Sequence, residues 1–160
     1  MADRVAVMKG GKLQAFAPPD ELYDKPRTLF VAGFVGNPPM NFINVEVSRE
    51  NGDYLARGNG IELTIQPEQG EKVAGKGQVI LGIRPEDITV VSEGTRGEIY
   101  MVEPLGRDDL INVRLGEDTI IHVLADPTLR LKMNDPIALE FNTNKVQFFD
   151  PKTEQSLLWA

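Results

Sequence analysis

A series of short apolar runs of period two, set off by turn residues, most constrains what this chain can fold into. Phe42, Ile43, Val45 and Val47 open the series, and Asn51-Gly52-Asp53 turns the chain into Tyr54-Leu55-Ala56. After Asn59-Gly60, one strand carries Ile61, Leu63 and Ile65 on a single face. Gln78-Val79-Ile80-Leu81 reads as a buried strand between Gly77 and Gly82, and Ile88, Val90 and Val91 resume the pattern. Residues 97–105, 110–115, 119–123, 137–141 and 146–149 complete it. Successive strand side chains point to opposite faces, so each run offers one face to a core and one to water. Residues 66–77 read as a polar loop, and 126–134 as a polar loop or one helical turn.

Short strands at this spacing indicate a mainly β fold class, a small antiparallel barrel or sandwich of the oligonucleotide/oligosaccharide-binding (OB) type. Stretches 40–91 and 95–149 have similar strand density, which is compatible with a duplicated barrel. Gly82-Ile83-Arg84-Pro85-Glu86-Asp87-Ile88 interrupts the first of them. Pro85 fixes its own φ, removes a ladder donor and pushes Arg84 into an extended conformation, so the strand turns there. Arg84 and Glu86 flank that rigid corner. They are either two solvated charges or a cation and a carboxylate that tie two parts of the fold together.

Residues 3–16 read as a hairpin, with Val5 and Val7 alternating against Ala6 and Met8 and Gly10-Gly11 supplying positive φ. Pro18-Pro19-Asp20-Glu21-Leu22-Tyr23 opens a short helix, Pro being favoured in a first turn and acids at the positive end of the dipole. Pro26 ends it, and residues 27–35 read as a second short helix with an almost wholly apolar surface. So small a unit cannot bury that surface alone, and it is expected to pack on something absent or on a partner chain. The expected organisation is therefore a segment 1–36, a stiff linker 37–40 built on Asn37-Pro38-Pro39, and a β domain over 41–160.

The balance of 17 basic against 24 acidic residues, net −7, opposes a sequence-independent grip on nucleic acid or anionic membrane. Tyr54, Tyr100, Phe141, Phe148, Phe149 and Trp159 are not interleaved with Lys or Arg, as a stacking groove for single strands requires. No nucleic-acid partner is expected. Residues 1–25 lack the apolar core of a signal peptide, no run approaches the roughly 18 apolar residues of a membrane span, and there is no Cys. A soluble cytosolic protein is expected. His122 is the only histidine, without partners for zinc or for nucleophilic catalysis, and reads as structural or surface. The acid pairs Asp108-Asp109, Glu117-Asp118 and Glu86-Asp87 lack calcium-loop spacing and read as solvated turn residues. No metal is expected, and no catalytic or cofactor-binding residue stands out. Arg84, Arg107, Arg114 and Lys132 are candidate donors for a small anion.

Several strings, in order, carry a family resemblance. Ala2-Asp3-Arg4-Val5-Ala6-Val7-Met8 with Gly10-Gly11-Lys12-Leu13-Gln14 is similar to the last hairpin of a nucleotide-binding domain. Pro18 to Tyr23 and Phe30-Val31-Ala32-Gly33-Phe34-Val35-Gly36 look like its closing helices, and Pro39-Met40-Asn41-Phe42 like the junction that follows. Gly82 to Ile88, Val102-Glu103-Pro104-Leu105-Gly106 and Phe149-Asp150-Pro151 look like signatures of a regulatory domain. Over essentially its whole length the chain resembles the C-terminal part of the ATP-binding subunit of carbohydrate-type ABC importers, the maltose/glycerol-phosphate importer ATPase family. That resemblance implies the end of a nucleotide-binding domain followed by an OB-fold regulatory domain of the TOBE kind. Gly70-Glu71-Lys72 and Gly75-Lys76-Gly77 are read as lacking the spacing and the Ser/Thr of G-x-x-x-x-G-K-[ST], and no Walker-B strand or ABC signature is present. The family's switch His would lie just upstream of Ala2. ATP hydrolysis is therefore not expected of this chain, nor any cofactor in it, ATP and magnesium belonging to the whole subunit; the chain reads as a fragment or separately encoded tail.

The resemblance further implies a regulatory module of a sugar or glycerol-phosphate importer that forms a homodimer. Its other partners would be a nucleotide-binding domain, transmembrane permease subunits and a regulatory protein, on the cytoplasmic face of the membrane. Arg84, Pro85 and Glu86 are the candidate structural corner. Glu103, Pro104, Leu105, Gly106, Phe149, Asp150 and Pro151 are candidate interface or interdomain surface. The alternative is an OB-type module that senses an oxyanion or sugar phosphate.

Overall fold

The structure is a computed structural model that describes residues 3–159. Met1, Ala2 and Ala160 lie outside them, and with Ala2 the first residue of the Ala2–Met8 string. The chain opens with the hairpin β1 (Val5–Lys9) and β2 (Lys12–Ala17), whose Gly10 and Gly11 both take positive φ, as the two-residue loop requires. Helices α1 (Pro19–Asp24) and α2 (Leu29–Phe34) follow, and the Thr28 hydroxyl caps α2 by accepting from the Val31 N–H at 3.2 Å.

Ten strands make two five-stranded antiparallel sheets. The first contains β3 (Asn41–Glu50), β4 (Asp53–Gly58), β5 (Ile61–Ile65), β6 (Gln78–Ile83) and β12 (Gln147–Phe149), in the order β12-β6-β3-β4-β5. The second contains β7 (Ile88–Val91), β8 (Thr95–Pro104), β9 (Asp109–Leu115), β10 (Thr119–Ala125) and β11 (Pro136–Phe141), in the order β10-β9-β8-β11-β7. The two halves of the β region thus trade their last strands. β7, which follows the first group, pairs with β11 of the second, and β12, at the end of the second, pairs Phe148 with Leu81 of β6. One apolar core serves both sheets, from Ile43, Leu81 and Ile83 to Ile99, Ile111, Val113 and Phe148. Each of those fully buried side chains contributes roughly 1.5–3 kcal/mol.

Residues 66–77 are not the expected loop. They hold α3 (Pro67–Val73), with Pro67 in the first turn and the Gln69 side chain accepting from the Gln66 N–H at 3.2 Å. Val73 is fully buried, and Gly70 has no Cβ because one would stand 2.1 Å from the Tyr54 ring. A glycine that suggests a loop in the sequence is here the contact that lets a helix lie flat on β4. Residues 126–134 contain a single 3₁₀ turn, Pro127–Leu129, capped by the Asp126 carboxylate on the Thr128 N–H at 2.9 Å.

Segment 3–36 has a small core of its own, Val7, Leu22 and Val31. Part of its remaining apolar surface is covered within the chain, since Ala32 packs with Met40 and Phe149. Met8, Leu13, Phe16 and Phe34 stay exposed, Phe34 at 61%.

Candidate functional site

At the end of β6, Arg84 is extended and Pro85–Asp87 form a 3₁₀ turn, closed by the Asp87 N–H donating to the Arg84 carbonyl at 3.0 Å. Pro85 enforces the reversal and aims the Arg84 side chain away from the barrel core, yet Arg84 is only 2% exposed. Its Nη1 donates to the Val35 carbonyl at 2.6 Å and its Nη2 to the Tyr23 carbonyl at 3.0 Å. Tyr23 lies in the last turn of α1 and Val35 caps the end of α2. One guanidinium therefore closes both helices, where unpaired carbonyls and the negative end of the backbone dipole favour a cation. The same cation lies 3.9 Å from the centre of the Tyr23 ring, and the Tyr23 hydroxyl donates to Glu86 Oε2.

Gly36 completes the clasp. It has φ +104°, and a Cβ there would stand 2.7 Å from Arg84 Nη1. Burial lowers the Arg84 pKa from its ordinary value, and the charges of Asp87 and Asp24 oppose that shift. Burial raises the Glu86 carboxyl above the usual carboxylate range, its own backbone N–H working against the shift. Burial raises Asp87 too, against the pull of Lys145 and Arg84. Asp87 is half-buried in the corner, whereas Glu86 stays exposed and meets the Tyr23 hydroxyl there, so the solvated reading of this acid pair fails for Asp87 only.

Phe149 lies where segment 3–36 meets the barrel, and Asp150 and the exposed Pro151 open the turn that follows it. Phe149 is fully buried, edge-on to Phe42 with ring centres 6.1 Å apart. The Asp150 carboxylate accepts from the Lys152 N–H at 2.7 Å and turns the chain back, so that 154–157 run between the two parts. There Leu29 N–H donates to Glu154 O at 2.9 Å, Ser156 N–H to Arg27 O at 2.8 Å and Leu157 N–H to Phe148 O at 2.8 Å. Glu103, Pro104, Leu105 and Gly106 are elsewhere, at the tip of the β8–β9 hairpin. Leu105 is 55% exposed, Gly106 has φ +99°, and Glu103 accepts from Asn112 Nδ2 at 3.1 Å. Among the described residues this tip makes no side-chain hydrogen bond to the corner or the tail.

His122 donates its backbone N–H to Asn41 Oδ1 and accepts from Asn41 Nδ2, both at 2.8 Å. Asn41 so replaces a strand partner at the open edge of β10, while His122 Nδ1 is buried without a hydrogen bond. Arg114 does not join Arg84; its guanidinium lies 5.3 Å from the Tyr100 ring centre. Three partners escape sequence reasoning: Tyr23, Asn41 and Gln147. Gln147 donates from Nε2 to Asp24 O at 3.0 Å and accepts at Oε1 from Trp159 Nε1 at 2.8 Å. The only tryptophan, Trp159, is the one composition-level hint of that contact.

One sequence expectation needs correction. Gly70, Gly75 and Lys76 do stand at the spacing of G-x-x-x-x-G-K, and only the final Ser/Thr is missing, Gly77 taking its place. The geometry is nevertheless unlike a phosphate loop, which follows a strand and opens a helix. Gly70 lies inside α3 against Tyr54, and Gly75 comes after the helix has ended.

Two domain families match. The MalK OB fold domain covers residues 36–88 and the TOBE domain residues 81–149. The chain is 37% identical to the sulfoquinovosyl glycerol transport ATP-binding protein SmoE of Agrobacterium fabrum, over 98% of this chain and 44% of that one. It is 34% identical to the trehalose/maltose import ATP-binding protein MalK of Thermococcus litoralis, over 98% and 45%. With the sn-glycerol-3-phosphate import ATP-binding protein UgpC of Bordetella avium it shares 37% identity over 76% and 33%. The chain spans less than half the length of these curated relatives. Among solved structures, the cytoplasmic molybdate-binding protein ModG superposes with TM-score 0.50 at 14% identity, over 69% of this chain and 96% of that one, a likeness of fold.

Proposed function

Starting from the fact that the chain belongs to the family of sugar and glycerol-phosphate importer ATP-binding subunits and corresponds to their OB-fold and TOBE region, we propose that it is a regulatory and dimerisation module. Two copies pair through the β domain and hold ATP-binding partners together while these open and close. Permease subunits and a regulatory protein complete the assembly, on the cytoplasmic side of the membrane. The module binds neither ATP nor magnesium and does not turn ATP over. It works by biasing a two-state motion, which requires that a signal on the barrel reach whatever segment 3–36 touches.

The Arg84 clasp is the observation that carries this reading. Because one side chain closes α1 and α2 and belongs to the barrel corner, the two parts move together. The exposed Met8, Leu13, Phe16 and Phe34 give segment 3–36 an apolar face for a nucleotide-binding domain. Light scattering over a concentration series tests the pairing. A particle of about 35 kDa, twice the 17.7 kDa of one chain, is expected, and a monomer at high concentration would sink the dimer. An ATPase assay at the same concentrations is expected to give no turnover.

A further inference from the structure

We infer that the cavity between the end of α1, the Arg84 corner and the C-terminal tail is a binding site for a small neutral polyhydroxylated molecule, one pyranose ring in size. The cavity measures about 190 Å³. That is smaller than the roughly 300–1,000 Å³ of pockets for drug-sized ligands. Met40, Val146 and Leu158 give it an apolar lining, suited to the C–H face of such a ring, while the Trp159 ring is met by the Lys25 and Lys72 ammonium groups, 5.2 and 5.6 Å from its centre.

The polar wall holds Asp24, Asp87, Glu68, Lys72 and Lys145, beside Arg84. The described ion pairs, Arg27–Glu21, Arg57–Glu50 and Arg57–Glu62, engage none of them. Among the described residues the carboxylates of Asp24 and Asp87 accept no hydrogen bond and the Lys145 ammonium donates none. The Asp87 carboxylate, half-buried and left open in this way, gains from donors brought by a ligand.

The arrangement of charge selects the ligand class. An oxyanion meets three carboxylates, and the cation best shaped to hold it, Arg84, already spends Nη1 and Nη2 on backbone carbonyls. A cation meets two ammonium groups and the guanidinium. A zwitterion needs the two signs at separate poles. Here they interleave, since Asp87 feels Lys145 and Arg84 as attractive and Asp24 as repulsive neighbours. Hydroxyl groups suit such a wall because each both donates to a carboxylate and accepts from an ammonium. The occupied site would join α1, α3 and the tail, and so stabilise the contact between segment 3–36 and the barrel.

Titration calorimetry and thermal unfolding of the whole chain test the site, with D-glucose, D-xylose and glycerol as neutral probes and inorganic phosphate and glycine as charged ones. Saturable binding of at least one neutral probe is expected, with a raised unfolding midpoint. Asp87→Asn and Lys145→Met should each weaken it about tenfold, the loss of one charged hydrogen bond. Asp108→Asn, at the β8–β9 turn, should leave it unchanged. Lys145→Met decides alone if Asp87→Asn does not fold. Saturable binding of phosphate or glycine in place of the neutral probes overturns the ligand class. Absence of saturable binding by any probe, or binding indifferent to both pocket variants, overturns the site. The inference does not rest on the dimer, which light scattering tests separately.

Discussion

The barrel and segment 3–36 are held in opposite ways. The barrel is joined by apolar side chains from both sheets, and Phe148, Leu81 and Ile111 among them are wholly withdrawn from water. Segment 3–36 buries only Val7, Leu22 and Val31 among its own elements, and it is fastened to the barrel by polar contacts, Arg84, Gln147 and the backbone of 154–156, beside one small apolar cluster of Ala32, Met40 and Phe149. Apolar burial is non-directional and spreads over many residues, whereas a polar clasp is concentrated and directional. The first region should therefore fail as a whole, and the second through one residue.

The largest effect is expected in the barrel. Leu81→Ala leaves a cavity under both sheets and should cost about 2–5 kcal/mol of global stability, read as a shifted denaturant midpoint with every probe moving together. Arg84→Ala should cost about 2–4 kcal/mol, because two backbone carbonyls lose a charged donor. Its signature should be local: hydrogen exchange accelerates over 19–35 while β3 and β9 stay protected. If α1 and α2 kept their protection in that variant, the contrast between the two regions would collapse.

Gly36→Ala meets both a positive φ and Arg84 Nη1, so about 1–3 kcal/mol should be lost, again with exchange rising first in α1 and α2. The smallest effect concerns pH. Burial holds the Glu86 and Asp87 carboxyls above their ordinary range, so between that range and the raised values the folded chain keeps protons that the unfolded chain has released. Their contribution is full below the ordinary carboxylate range and is lost as pH rises through the raised values. Urea midpoints of Glu86→Gln from about pH 4 to about pH 7 should show a shallower loss than the parent. An identical slope would mean that Glu86 is solvated in solution.

What the sequence made legible is what acts over a few residues. Gly10-Gly11 made a hairpin, Pro85 made a corner, and period-two runs made strands, because each of these is decided by local φ, a missing donor or alternation. The partners of the corner were not legible. Tyr23 and Val35 lie far from Arg84 along the chain, and a carbonyl carries no mark of its residue type. Asp87 looked solvated because adjacent acids normally are, and only the folded corner half-buries it. α3 was hidden by Gly70, whose role depends on the ring of Tyr54 in another strand. The exchange of β7 and β12 left no local trace, since the edge that a strand joins is decided by the whole sheet.

That exchange governs how the protein can be made. As translation proceeds, the first sheet lacks an edge strand until Phe148 has emerged to pair with Leu81, although β3 to β6 were synthesised long before. β7 likewise waits for β11. Neither sheet can close early, so the nascent chain carries an incomplete core until its last strand appears, and the pairing step is slow because it spans a large sequence separation. The two halves, similar as their strand patterns are, cannot be cut apart into independent modules.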